Sequence, residues 1–246
     1  MSFIKKPNLP KSKVKTAIVS STDKRIIDFI EKYKIELYYT TENKAINCSI
    51  SKHADINAFY VGSGKVILDS SQKELKCVLE SRGANVAFSH KSVSGFYPED
   101  CKLNCAVVGN RIIARVDSTD KSIINNFTPS QIIKVKQGYA RCSVCILNEN
   151  AIITDDPSIY KACLNQQFEV LLIDKGDILL PGYDYGFIGG ASSLIDKDKV
   201  LFFGDITKHR DFKKIDLFFK KNGCKYDFIP GYALTDIGGM VLIEEE

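Results

Sequence analysis

A twelve-residue stretch that occurs twice constrains this chain more than any other feature. Residues 180–191 read LPGYDYGFIGGA and residues 229–240 read IPGYALTDIGGM, 49 positions further on. Six of the twelve positions coincide: Pro, Gly, Tyr, Ile, Gly and Gly. Glycine recurs where a backbone needs positive φ or a close neighbour, and proline where φ is fixed. Two copies of one such turn imply a supersecondary unit used more than once. A period of about 40–50 residues points to a propeller or a solenoid.

The remainder of the chain repeats the unit. Strand 16–20 (TAIVS) leads to a helix with Ile26, Ile30 and Tyr33 on one face, then to strand 35–39. The same order recurs in 66–68 to 85–88, 112–114 to 132–135, 152–153 to 170–173, and 200–203 to 226–229. Ser20, Asp69, Asp117, Asp155 and Asp205 follow the first strand of each unit, where helix caps are expected. Each internal unit is preceded by an apolar strand and a tight polar turn, such as Gly62-Ser63-Gly64 or Gly109-Asn110, which is a hairpin signal. The full repeat is therefore β-hairpin, helix, strand. Residues 47–55 fit no element.

The two ends complete the pattern. The first unit lacks its leading hairpin strand, and 238–243 is such a strand with nothing after it. Pairing them makes a fifth repeat and leaves no open edge. The expected fold is α/β: a five-bladed α/β propeller of ββαβ repeats, its ring closed by pairing of the N- and C-terminal segments. Residues 1–246 form one domain, and 1–13, with Lys5, Lys6, Lys11 and Lys13, reads as a flexible basic arm.

Composition excludes several classes. With 34 basic and 30 acidic residues the net charge is only +4, which argues against a nucleic-acid partner. No apolar run is long enough to span a bilayer. The start has no apolar h-region, so no export signal is expected. Eight cysteines without such a signal imply reduced thiols and a cytoplasmic location.

Five β-β-α-β units about a pseudo-fivefold axis resemble the pentein fold of the guanidine-group-modifying enzymes: amidinotransferases, dimethylarginine hydrolases, and arginine and agmatine deiminases. The GFIGGAS stretch and the LTDIGGM ending also resemble a family of uncharacterised bacterial proteins of that fold. The resemblance runs from about residue 14 to 243. It implies axial carboxylates that hold a guanidinium, a Cys thiolate that attacks it and a His that shuttles protons. Matched to the agmatine-deiminase pattern, Ala54-Asp55 keeps the Asp of an Arg-Asp pair, while Cys101-Lys102-Leu103 offers no second acid. The His would fall near Tyr139 or Phe187, and the nucleophile of the last strand at Ile243. The resemblance thus implies a pentein-like protein without the usual Cys/His chemistry, whose polar axial pocket takes a small amine or guanidino ligand. One alternative is a non-catalytic protein- or ribosome-binding module, since the ribosome anti-association factor resembles this chain in length and repeat architecture. Another is a hydrolase or amidinotransferase acting on arginine-like substrates.

Candidate pocket residues are Asp55 from the matched pair, Asn57, Asn104 and Ser143 at the starts of inner strands, and Asp184 and Asp236 in the two PGY loops. Aspartates in such loops are equally explained as turn caps. Arg141 stands beside Cys142, where its charge would lower the thiol pKa. Cys101, Cys105, Cys142 and Cys145 form a Cx3C and a Cx2C pair with the spacing of a zinc site, but cysteines alternating with apolar residues in inner strands are commonly packed thiols. Packed thiols, no metal and no cofactor are the expectation. Of the three histidines, His53 stands out, two residues before Asp55.

Overall fold

The computed structural model describes residues 1–246. The first unit comprises β1 (Ser2–Phe3), β2 (Val14–Ser20), α1 (Lys24–Glu31) and β3 (Glu36–Thr40). The second begins with a single helical turn, α2 (Ala54–Asn57), followed by β4 (Ala58–Gly62), β5 (Lys65–Leu68), α3 (Lys73–Ser81) and β6 (Asn85–Phe88). The third contains β7 (Ala106–Val108), β8 (Arg111–Ala114), α4 (Lys121–Ile124) and β9 (Ile132–Lys134). The fourth contains β10 (Val144–Ile146), β11 (Ala151–Thr154), α5 (Pro157–Leu164) and β12 (Glu169–Leu172). The fifth contains β13 (Ser192–Asp196), β14 (Lys199–Phe202), α6 (Phe212–Lys221) and β15 (Lys225–Phe228), and β16 (Met240–Glu245) ends the chain.

Each unit from the second to the fifth makes one three-stranded sheet, an antiparallel hairpin with a parallel third strand. The remaining sheet is drawn from both ends of the chain, in the order β1-β16-β2-β3. In it β16 runs antiparallel to β2, with Leu242 opposite Ala17. The five ladders are separate, and no continuous sheet closes on itself. Side-chain packing joins them instead. One apolar cluster unites residues of the first and second sheets with Ile195, Leu201 and Phe203 of the fifth unit. Three more join the second sheet to the third, the third to the fourth, and the fourth to the fifth. The middle strands β5, β8, β11 and β14 carry Val, Ile and Leu pairs because both of their faces are covered.

The helices follow from their stripes and caps. Ile26, Phe29 and Ile30 bury one face of α1, and the Asp23 carboxylate accepts the Arg25 amide at its start. Asp156 caps α5, with Pro157 in the first turn where its missing N–H costs nothing. The caps lie later than the sequence suggests, because the chain needs one to three residues to leave the sheet before it can coil. Of the five residues expected to cap, only Asp205 does so, accepting the Thr207 amide at a short 3-10 turn. Ser20 instead donates to the Ile237 carbonyl, and Asp69 accepts from Asn43 and the Val93 amide.

Residues 1–13 are not a free arm. Ser2 and Phe3 pair with Glu245 and Glu244, Ile4 is 0% exposed, and the Tyr60 hydroxyl donates to its carbonyl at 2.7 Å. Asn8 donates to the Val107 carbonyl, and Leu9 packs against two apolar clusters. Three apolar side chains among the lysines outweigh the solvation of the charged heads, which stay at the surface. No helix is long and apolar enough to cross a membrane.

Two predictions follow from this packing. Replacing Ile4 by Ala should lower the unfolding free energy by about 2–5 kcal/mol. Urea titration reads this directly, and a change under about 0.5 kcal/mol would mean the segment adds nothing to the fold. The second concerns Asp155, at the end of β11, which is 3% exposed with one carboxylate oxygen lacking any partner. Burial raises its pKa from 3.8 to about 7. A carboxyl whose pKa is higher in the folded state favours folding at low pH, and that contribution is lost as the pH rises through about 7. Asp155→Asn should therefore gain more stability at pH 8 than at pH 5; equal gains at both would refute the assignment.

Candidate functional site

The two copies of the PGY loop lie against each other. The Gly190 carbonyl accepts the amides of Ile237 and Gly239, at 3.1 and 2.8 Å. The Asp236 carboxylate accepts the amides of Phe187 and Gly238, both at 2.9 Å. A side chain at Gly190 would run into this carboxylate, and one at Gly238, where φ is +77°, into the ring of His53. The repeated glycines thus let two backbones close around one acid and one imidazole.

His53 and Asp55 arrive from the start of α2, and Cys142 from the turn that leads into β10. The Cys142 thiol donates to Asp55 Oδ2 at 2.9 Å. Asn104 clamps this turn: its amide donates to Cys142 Sγ at 3.1 Å, and its oxygen accepts the Arg141 and Cys142 amides at 2.8 and 3.2 Å. His53 Nδ1 lies 3.9 Å from Asp236 Oδ1. One ligand-type atom each from His53, Asp55 and Cys142 falls within 4.8 Å of the other two, and all three residues are buried.

Burial dominates the electrostatics. It raises the Asp55 pKa to about 6, with the His53 imidazole pulling the other way. The Cys142 thiol is pushed well above its ordinary value, first by burial and then by the charges of Asp55 and Asp236. Arg141 does not activate it, because its guanidinium turns to the carbonyls of Val144 and Gly189. The resting group is a neutral thiol hydrogen-bonded to a carboxylate.

Above Cys142 opens a cavity of about 240 Å³. Its walls are Ile50, Ile56, Tyr139, Leu180, Tyr183, Tyr185 and Phe187, and His53, Asp184 and Asp236 supply its polar groups. Tyr139 is held by a hydrogen bond to Asp100 at 2.5 Å and packs near Phe187, with ring centroids 6.2 Å apart. Aromatic faces with carboxylates beside them suit a cation.

Of the residues singled out from the sequence, Asp55, Asn104, Arg141 and Asp236 gather around Cys142, and Asp184 stands in the cavity wall. Ser143 is buried on the same turn, its hydroxyl without a partner. Asn57 does not begin a strand; it ends α2 and turns away, donating to the carbonyls of Ser51 and His53 at 2.9 Å. The four cysteines of the short pairs form no common cluster. Cys101 donates to the Pro98 carbonyl, Cys105 lies against Thr119, and Cys142 faces Asp55. Only Cys145 lies in a strand; the other three sit in the loops ahead of β7 and β10, each against its own neighbour, so sequence spacing does not bring the four sulphurs together. Ile243, matched to the family's nucleophile, is 2% exposed in the apolar core. Sequence reasoning singled out His53 and Cys142 separately but did not bring them together. The His-x-Asp spacing of 53 and 55 was the available signal for the first, and nothing local links either to residue 142.

Solved structures share this architecture. An inosamine-phosphate amidinotransferase of Streptomyces griseus superposes with a TM-score of 0.62 at 8% identity, covering 100% of this chain and 97% of its own. An amidinotransferase of the saxitoxin biosynthetic pathway from Microseira wollei gives 0.55 at 10% identity, covering 92% and 91%. Agmatine deiminase of C. jejuni gives 0.51 at 11% identity, covering 91% and 89%. At these identities the likeness establishes the fold, which is that of the penteins. No curated protein matches the chain by sequence. A family model described as a family of unknown function (DUF6873) matches residues 17–241, and the chain belongs to that family.

Proposed function

We propose that the chain binds a small planar cation of the amidine or guanidino class in the cavity above Cys142 and attacks it with the Cys142 thiolate. The observation that carries this reading is the 2.9 Å contact of the thiol with Asp55, at the floor of an open cavity with His53 beside it. The structural relatives named above act on such groups, which supports the class of ligand. The five sheets, on this reading, surround the cavity as the blades of a propeller.

The chemistry follows from the charges. A cation entering the cavity meets Asp236 and Asp184, and its charge stabilises a thiolate that burial otherwise disfavours. The thiol proton passes to His53 Nδ1, which has no other partner. Sulphur then bonds to the central carbon, and the electron pair of the carbon–nitrogen double bond moves to nitrogen. The departing amine recovers the proton from His53. The thiol comes from a different repeat from the one indicated by the family pattern, so the missing cysteine at Ile243 does not bear on it.

The test is alkylation by 2-chloroacetamidine, against neutral 2-chloroacetamide, in the presence of a chelator. The amidine should label Cys142 at least about tenfold faster than the amide, although Cys48 and Cys77 are the exposed thiols. Asp236→Asn should abolish the preference, and Cys142→Ala the adduct. Equal rates for both reagents, or labelling confined to Cys48 and Cys77, would refute the reading.

A further inference from the structure

We propose that His53, Asp55, Cys142 and Asp236 form a site for one divalent cation of the zinc class. This goes beyond the proposed chemistry and holds whether or not Cys142 is a nucleophile.

Two buried atoms lack what their neighbours have. His53 Nδ1 and Asp55 Oδ1 make no hydrogen bond, although the residues are only 6% and 2% exposed. An unpartnered buried acceptor is costly. Both residues belong, with Cys142, to the group in which one ligand-type atom from each lies within 4.8 Å of the others, and Asp236 Oδ1 stands 3.9 Å from His53 Nδ1. A single cation placed among them would satisfy both.

The spacing fits such an ion. Cys142 Sγ and Asp55 Oδ2 are 2.9 Å apart, and His53 Nδ1 and Asp236 Oδ1 are 3.9 Å apart. Around a tetrahedral zinc with ligands at about 2.0–2.3 Å, neighbouring ligand atoms stand roughly 3.3–3.7 Å apart. The two observed separations bracket that range. The donors are one imidazole nitrogen, one sulphur and two carboxylates, a set that suits zinc and excludes the oxygen-only preferences of magnesium and calcium.

The supporting shell is built as well. Asn104 fixes the sulphur, and the amides of Phe187 and Gly238 fix the Asp236 carboxylate. Cys142, His53 and Asp236 all line the cavity, which gives the ion an entry path. Binding is a proton exchange without oxidation or reduction. The Cys142 S–H bond breaks, its proton leaves to solvent, and the sulphur lone pair bonds the metal. The ion and an organic cation then compete for the same carboxylates, so zinc shields the thiol from electrophiles.

The experiment strips the full-length protein with a chelator, reloads it with zinc or cobalt, dialyses it and measures metal content. One ion per chain is expected, and the cobalt form should show a thiolate-to-metal charge-transfer band. Cys142→Ser and His53→Gln should each lose the ion, while Cys101→Ser and Cys145→Ser keep it; thermal melts establish that the variants fold. Stoichiometric zinc should slow chloroacetamidine labelling of Cys142 at least about tenfold. No retained metal, or retention unaffected by both Cys142→Ser and His53→Gln, would overturn the site. Labelling of Cys142 without metal retention would sink this inference alone, and metal retention without amidine preference would sink only the proposed chemistry.

Discussion

Two amides from two copies of one loop end on a single carboxylate. Asp236 holds Phe187 and Gly238 together, and the Gly190 carbonyl closes the same seam from the other side. Much of the candidate site depends on this seam. It sets the acid that faces His53, fixes the wall that carries Tyr185 and Phe187, and delivers the chain into β16. The repeated glycines belong to this close approach, and the repeat is visible in the sequence because only glycine leaves room for it.

The fold was legible wherever a segment's local chemistry agrees with its tertiary role. Val66 to Leu68, Ile112 to Ala114 and Val200 to Phe203 are β-branched or bulky runs bounded by turns, and they are the central strands. Legibility failed where position along the chain was the wrong guide. Asp69 and Asp155 look like caps, yet both are buried at strand ends, and Asp120 and Asp156 do the capping. The first thirteen residues look like a basic tail because lysines dominate the composition; Phe3, Ile4 and Leu9 decide the outcome.

The candidate site was legible in part. Asp55, Asn104 and Asp236 could be named from their places before or between strands. Cys142 and His53 could not be joined, because they meet only through the packing of separate sheets. Matching to a family pattern asks which residue stands in a given slot. The geometry shows a thiol and an imidazole from slots the pattern does not use, while aromatic rings stand near where it puts its histidine. Side-chain convergence, unlike a turn or a helix stripe, has no local signature.

The sheet formed from segments more than 200 residues apart sets the order of events during folding. β16 is an inner strand of that sheet, flanked by β1 and β2, and Asp236 lies just ahead of it. Contacts spanning almost the entire chain form slowly, since a long loop must close before they are rewarded. During folding, β1 and β2 must wait for β16 to reach them. Until it arrives His53 has no Asp236 beside it. The candidate site is therefore completed by the pairings with the longest loops to close, β16 on β1 and β2.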